Sequence, residues 1–367
     1  MSHQSMVGWI VKAEKSKEDK MDKVNNVDIV YGASWGDEGK GKVSHFLANR
    51  KNPDGTNYYD FVARWAGGSN AGHTIYHEGR KFATHIVPSG VFFNITSLIG
   101  PNCVLNIESF YKEIAELEAG GIDTSLVKVH PKCHIVTGKH IEEDKQRYAE
   151  RMGTTSQGIA PAYRDKYGRT GLLVQDSKLD QKFIFRDKLH GNVLCEGAQG
   201  FHLDINYGNY PFVTSSETLP YAACSLGFGP KKIRNIYASA KIYDTRSGED
   251  PLFPSCLLEN PKLLSIADAG KEYGVTTGRR RKVNWLNLDK LVEAVQIGGA
   301  THLIVNKCDI LEQTGHFKLY YDRSLIEFSN LSDMQSFITQ TCKDKCDSLE
   351  EIYYSSNPHN VEGLIYE

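Results

Sequence analysis

The chain predicts an α/β fold: a single large domain around a mostly parallel central sheet, with a phosphate-binding loop of the P-loop type after its first strand. Three observations carry this. Short apolar runs alternate with stretches of helical spacing. Those runs repeatedly end in glycine turns, the edge where such sheets bind ligands. No Gly-, Ser- or Pro-rich linker and no internal repeat divides the chain after Asn26.

Residues 1–26 are mostly polar apart from Trp9-Ile10-Val11 and read as a flexible N-terminal extension before a domain at 27–367. Val27 to Ala33 is the first strand. The loop Ser34-Trp35-Gly36-Asp37-Glu38-Gly39-Lys40-Gly41-Lys42 follows, then a helix from Val43 to Arg50. Strand, glycine turn and helix in that order place backbone amides and a helix N-terminus around an anion. Asp37 alone would repel phosphates, so it suits a metal ligand or a base. The pattern G-x-x-x-x-G-K fits Gly36 to Lys42, but Val43 stands where that pattern has its metal-binding hydroxyl.

Asp60 to Trp65 is a second strand, leading through Gly67-Gly68 into a second turn, Asn70-Ala71-Gly72-His73-Thr74. His73 offers a proton donor with a pKa near neutrality. Ile75 to Val104 is strand-rich, and Glu108 to Ala119 is a helix stopped by Gly120-Gly121. Leu126 to Val136 reads as strand and Ile141 to Arg151 as a charged, exposed helix. Gly153 to Tyr163 is a polar loop whose Thr154 and Thr155 can donate to a phosphate.

Asn192 to Ala198 is an apolar strand running into Glu196-Gly197-Ala198-Gln199-Gly200, where the Gln199 carboxamide can read a base edge. Thr214 follows in the loop Tyr210 to Ser216. Ile233 to Tyr243 is a strand, Pro261 to Lys271 a helix, and Gly274 to Lys282 a basic cluster whose guanidinium forks suit carboxylates. Leu286 to Ile297 is an amphipathic helix. Thr301 to Val305 is a strand ending in Asn306-Lys307-Cys308-Asp309. A carboxylate there accepts the paired N1 and N2 donors of guanine, which adenine lacks. Lys318 to Tyr321 and Glu351 to Ser355 are late strands with a helix between them. Read singly, His73 is a structural histidine, Thr214 a strand residue and the arginine run a solvated surface; their order along the chain decides otherwise.

At 367 residues, 40% hydrophobic and 24% charged, the chain can bury a substantial core. Its net charge of −2 supplies no basic field for nucleic acid. No apolar run is long enough to span a membrane, and the N-terminus lacks a signal-peptide core. The eight cysteines form no C-x-x-C pair and read as reduced thiols of a cytoplasmic protein.

The string W-G-D-E-G-K-G-K at 35–42, followed by G-G-S-N-A-G-H-T at 67–74, resembles the adenylosuccinate synthetase family. The resemblance continues, in order, through G-T-T-x-x-G-I-x-P-A-Y at 153–163, E-G-A-Q-G at 196–200, T-T-G-R-R-R at 276–281 and N-K-x-D at 306–309. It implies a GTP-dependent ligase joining IMP and L-aspartate through 6-phosphoryl-IMP. Asp37 would be the base that takes the N1 proton, His73 the general acid, with Lys40 and Gln199 supporting catalysis. IMP would meet Asp37, Asn70, Ala71, Thr155, Gln199 and Thr214, with Arg169 reaching the partner's nucleotide across a homodimer. Thr276, Thr277, Arg279 and Arg281 would hold L-aspartate. GTP would meet Gly36, Glu38, Gly39, Lys40, Gly41, Lys42, Gly72, Thr74, Arg281, Lys307, Asp309 and Ser355. One Mg²⁺ per subunit would sit on Asp37 and the carbonyl of Gly72.

The chain departs from the family pattern at Gln157, where an Arg is usual, and at Asn357, where Ser-x-Gly-Pro has Gly. Some viral relatives run the same chemistry on dGMP and tend to carry a small residue where Asp37 stands here, so Asp37 favours IMP. A GTP-binding regulatory protein is the alternative from another class. It would leave Gln199, Thr214 and Thr277 to Arg281 without a task.

Overall fold

The computed structural model describes residues 23–274 and 278–364. Eight strands form the central sheet: β1 (Val24–Gly32), β2 (Phe61–Arg64), β3 (Thr96–Ile99), β4 (Val127–Val129), β5 (Gly191–Glu196), β6 (Ile233–Lys241), β7 (His302–Asn306) and β8 (Glu351–Ser355). Their order is β8-β7-β6-β1-β5-β2-β3-β4, and every pairing is parallel. One sheet polarity gathers all eight C-terminal ends, with their glycine turns, on a single edge.

Parallel sheets are covered on both faces, and β1 accordingly sends apolar side chains to both. Val27, Ile29 and Tyr31 enter one core, while Val30 enters another with Leu194, Tyr237 and Ile304. Alternate side chains of a strand point to opposite faces. Each such fully buried aliphatic side chain contributes about 1.5–3 kcal/mol. The helix after the loop, α1 (Lys40–Ala48), lays Val43 and Leu47 on the second core.

Further helices are α2 (Ile107–Ala119), α3 (Gly138–Arg147), α4 (Ile159–Tyr167), α5 (Pro261–Ala269), α6 (Leu288–Gly298), α7 (Cys308–Thr314) and α8 (Leu331–Lys345). A second sheet of four strands, Tyr243–Arg246, Lys282–Asn287, Lys318–Tyr321 and Ser324–Glu327, continues from the end of β6.

Several boundaries differ from the sequence reading. β1 begins at Val24, inside the segment read as extension, because Val24 pairs with Gly191 and is buried. α1 begins at Lys40, with Gly39 at φ 91° turning the chain into it. Leu286 belongs to a strand rather than to the following helix: it pairs with Leu319, and Asn287 caps α6 through Lys290 N–H. The helix read as exposed over Ile141 to Arg151 starts earlier and buries Asp144 and His140. Ile159 to Tyr167 is helical, with Pro161 tolerated in the first turn.

Two histidines, the half-buried His45 and the buried His202, set an acid limit on this packing. His45 of α1 meets His77 through Nε2 and Nδ1 at 3.1 Å; burial, then the neighbouring His77, lowers its pKa from 6.5 to about 4. His202 packs on Trp35 at 4.5 Å; burial, then Lys290, lowers it to about 3. Below 6.5 the unfolded chain gains protons that the folded chain refuses, so stability is full above that pH and falls as pH drops towards 4. Urea midpoints measured from pH 7.5 to 4.5 should fall continuously below 6.5, and His202→Gln should give a shallower decline.

Candidate active site

The loop after β1 is built around Glu38, which is 1% exposed. Its Oε1 accepts from the amides of Ser34 at 3.1 Å and Gly36 at 2.8 Å, and its Oε2 from Lys40 Nζ at 2.6 Å. The loop therefore folds its own carboxylate into those two amides. Lys40, expected as a phosphate clamp, is 3% exposed and spends its charge on Glu38 here.

A second set of bonds fixes the loop to the sheet. The Glu38 carbonyl accepts from Asn306 Nδ2 at 2.8 Å and from Ser239 Oγ at 2.9 Å. Asn306 Nδ2 also lies 3.2 Å from the Ala240 carbonyl. The asparagine of the N-K-x-D turn thus serves the phosphate loop. Lys307, at φ 68°, donates to the Gly270 carbonyl at 3.0 Å, and Asp309 lies in the first turn of α7.

Lys42 reaches away from the loop mouth. Its Nζ donates to Ser355 Oγ at 2.8 Å and to the Asn357 carbonyl at 3.0 Å. Burial, partly offset by Glu362, lowers its pKa to about 8. Ser355 is thereby joined to the phosphate-loop helix.

His73 opens the strand His73–His77 and is buried. Its Nδ1 lies 2.7 Å from Glu196 Oε1, and Glu196 Oε2 accepts from the Ser89 amide at 2.9 Å. Burial alone would push Glu196 up, but the His73 hydrogen bond and charge, with Arg64, outweigh it and hold the carboxyl at about 2. An ionised Glu196 can only accept, so Nδ1 carries the proton and Nε2 is left for other chemistry. For His73 itself burial dominates and lowers the pKa, opposed by Glu196. Gly41 of α1 packs against the ring: a Cβ there would fall 2.6 Å from His73 Cβ.

These elements surround a cavity of about 230 Å³ at the C-terminal edge of the sheet. Ten expected residues line it: Gly36, Asp37, Asn70, Ala71, Gly72, His73, Thr155, Gln199, Thr214 and Arg279. Gln199 sits at φ 54°; its Nε2 donates to Asn70 Oδ1 at 3.2 Å, while its buried Oε1 has no hydrogen-bond partner. Leaving such an atom unpaired costs about 1–3 kcal/mol, which a ligand donor would recover.

Asp37, at φ 62°, is 28% exposed and pairs with Arg281 Nε at 2.8 Å. Thr74 lies on the strand beside His73 and outside the lining. Gly39, Gly41, Lys40, Lys42, Arg281, Lys307, Asp309 and Ser355 also lie outside it. Arg169 is exposed after α4, away from the cavity. Thr276 and Thr277 lie outside the described residues.

Sequence reasoning missed Glu196, which stood in view in E-G-A-Q-G, and Asp144, hidden in a charged helix. Asp144 accepts from Thr154 Oγ1 at 2.9 Å and from the Gly158 amide at 2.8 Å, fixing the loop of Thr155. It also missed Arg246, 4% exposed, whose Nη2 donates to the Phe212 carbonyl at 2.8 Å and braces the loop of Thr214.

Asp37 and Gly72 both line the cavity, and a carboxylate with a backbone carbonyl is a donor set of the kind Mg²⁺ takes, completing its shell from phosphates and water. Among the described residues no group of three His, Cys, Asp or Glu side chains forms a cage by itself. No described helix is long and apolar enough to cross a membrane.

A glycine-rich loop running into a helix N-terminus, with a carboxylate, Asp37, and an imidazole, His73, lining one cavity at the edge of a parallel sheet, is the architecture of a nucleotide-dependent phosphoryl-transfer enzyme. The family model described as adenylosuccinate synthetase matches residues 29–192 and 181–322. Adenylosuccinate synthetase of Cytophaga hutchinsonii is 37% identical over 78% of this chain and 77% of its own length. That of Phocaeicola vulgatus is 36% identical over 78% of each. Among solved structures, the fully ligated adenylosuccinate synthetase of Plasmodium falciparum shares the fold with a TM-score of 0.76 at 23% identity, covering 92% of this chain and 99% of that one. The succinoaminodeoxyadenylate synthetase of cyanophage S-2L, bound to dGMP and dATP, shares it with a TM-score of 0.69 at 18% identity, covering 92% and 94%. The chain belongs to the adenylosuccinate synthetase family and is a carbon–nitrogen ligase of purine biosynthesis.

Asn306→Ala removes the amide that ties Glu38 to β6 and β7. It should lower stability by about 1–3 kcal/mol, read as a reduced urea midpoint, and should weaken nucleotide binding in the same preparation.

Proposed function

We propose that this cavity joins IMP to L-aspartate at the expense of GTP. The carrying observation is the convergence of Asp37, His73 and the unpaired Gln199 Oε1 on one cavity beside the phosphate loop. The oxygen on C6 of IMP is a poor leaving group, and phosphorylation makes it a good one. Asp37 takes the N1 proton, so that O6 attacks the γ-phosphate of GTP and GDP leaves as the bond to its bridging oxygen breaks. His73, held by Glu196, presents Nε2 to the transferring phosphoryl group. The amine of L-aspartate then displaces phosphate. Proton transfer of this kind contributes about 10² to 10⁴ in rate, and positioning and charge neutralisation supply the rest.

Asn70, Ala71, Thr155, Gln199 and Thr214 receive IMP in this reading; Gln199 accepts through Oε1. Thr276, Thr277, Arg279 and Arg281 receive the carboxylates of L-aspartate, and Asp309, Lys307 and Ser355 read guanine. Gly36, Glu38 to Lys42, Gly72 and Thr74 surround the phosphates of GTP. Asp37 and the Gly72 carbonyl hold Mg²⁺, which neutralises phosphate charge when bound. The protein works as a cytoplasmic homodimer, with the exposed Arg169 reaching the partner's nucleotide.

Asp37 also favours IMP over dGMP, because a carboxylate on the cavity wall crowds a 2-amino group. A matched assay with Mg²⁺, GTP and L-aspartate, offering IMP in one tube and dGMP in the other, should give a succinyl product with IMP. Turnover with dGMP alone would replace the IMP reading. Phosphate release without either product would point to a GTPase.

Two substitutions test the roles. Asp37→Ala should lose at least about 10² in turnover while melting normally; near-normal turnover removes the mechanism. Asp309→Asn should raise KM for GTP far more than KM for IMP, and equal rises would sink the guanine assignment.

A further inference from the structure

Glu272 is 1% exposed where three elements meet, and the ligation chemistry gives it no direct part. Its Oε1 accepts from Tyr243 OH at 2.7 Å. Its Oε2 accepts from Lys241 Nζ at 2.9 Å and from Arg281 Nη1 at 2.6 Å. Arg281 then reaches Asp37 through Nε at 2.8 Å. Burial alone would push the Glu272 carboxyl up, but Lys241 and Arg281 outweigh it and hold it at about 2.

The main chain closes the same loop. The Arg281 amide donates to the Glu272 carbonyl at 2.9 Å, and the Gly274 amide to the Arg279 carbonyl at 2.8 Å. Tyr273 and Arg280 form an antiparallel bridge between those bonds. Residues 272 and 281 are thus joined by backbone and by side chain. The other partners of Glu272 belong to the sheets: Lys241 ends β6, and Tyr243 opens the second sheet. Glu272 thus ties Arg279 and Arg281 to the two sheets, beside the Arg280–Asp268 ion pair and the bond from Arg279 Nη1 to the Gly153 carbonyl at 3.3 Å.

We infer that Glu272 is a positioning residue: it fixes the Arg281 guanidinium against Asp37 and, through the backbone bonds joining 272 to 281 and 274 to 279, sets where Arg279 meets the amino-acid substrate. The inference rests on the reading of the cavity as an IMP–L-aspartate ligation site. Two cations, Lys241 and Arg281, face two anions, Glu272 and Asp37. With Glu272 neutral, both cations compete for Asp37, and Arg281 loses one of its two anchors. Glu272 touches no substrate and acts through Arg281.

The test is steady-state kinetics on the full chain with Glu272→Gln, Tyr243→Phe, Arg281→Lys and the double variant Glu272→Gln/Arg281→Lys. Glu272→Gln should raise KM for L-aspartate about tenfold or more and leave KM for IMP within about twofold. Tyr243→Phe removes only the hydroxyl on Oε1 and should raise KM for L-aspartate by about two- to fivefold. In the Arg281→Lys background, Glu272→Gln should add less than about twofold, because members of one network are not additive. Equal rises in both KM values, or effects that simply multiply, overturn the positioning role. If Glu272→Gln does not fold by thermal melting, Tyr243→Phe decides, and an unchanged KM for L-aspartate overturns it. Absence of adenylosuccinate from the parent chain would overturn the ligase reading and this inference together, before any substitution is compared.

Discussion

Glu38 holds the phosphate loop from two sides. Its carboxylate gathers the Ser34 and Gly36 amides and the Lys40 ammonium, and its carbonyl takes the Asn306 and Ser239 side chains. The first set gives the loop its shape; the second fixes its place over β6 and β7. A buried carboxylate is tolerable only when paired and hydrogen-bonded, and here each of its oxygens is. The αL backbone of Asp37, adjacent in the chain, lies among these bonds, so the half-buried carboxylate of the loop owes its position to the buried one beside it.

The same division of labour recurs around the cavity. Glu196 orients His73, Asp144 orients the Thr155 loop, and Arg246 braces the Thr214 loop. In each case a group facing the cavity is carried by a buried charged side chain, Glu196 behind the lining and Asp144 and Arg246 within it. Catalytic geometry is useful only when it is preorganised, and buried charge with satisfied partners is rigid because every alternative leaves a charge unpaired.

That pattern explains what could be read from the chain. The parallel sheet was legible because β1 and β7 are apolar on both faces and stop at glycine or Asn-Lys turns. The cavity wall was legible where glycine, histidine and threonine sit in short motifs. The supporting charges were not, because a buried Asp144 or Arg246 looks like any surface charge until tertiary structure covers it. The strand Lys282–Asn287 was hidden for a related reason: its lysine, two asparagines and tryptophan show no clean alternation, and its pairing partners lie far away in sequence. Lys42 was read as a phosphate ligand from its place in the loop, and only the fold reveals that β8 ends within its reach.

Gly41 shows how an absent atom can act as a spacer. α1 and the imidazole of His73 share a surface with no room for a methyl group. The distance between the first turn of that helix and the ring is therefore set by contact rather than by a tether. A side chain at this position would lever the ring away from Glu196 and shift the helix by a comparable amount. Helix and histidine therefore meet in hard contact, and a displacement of either presses directly on the other.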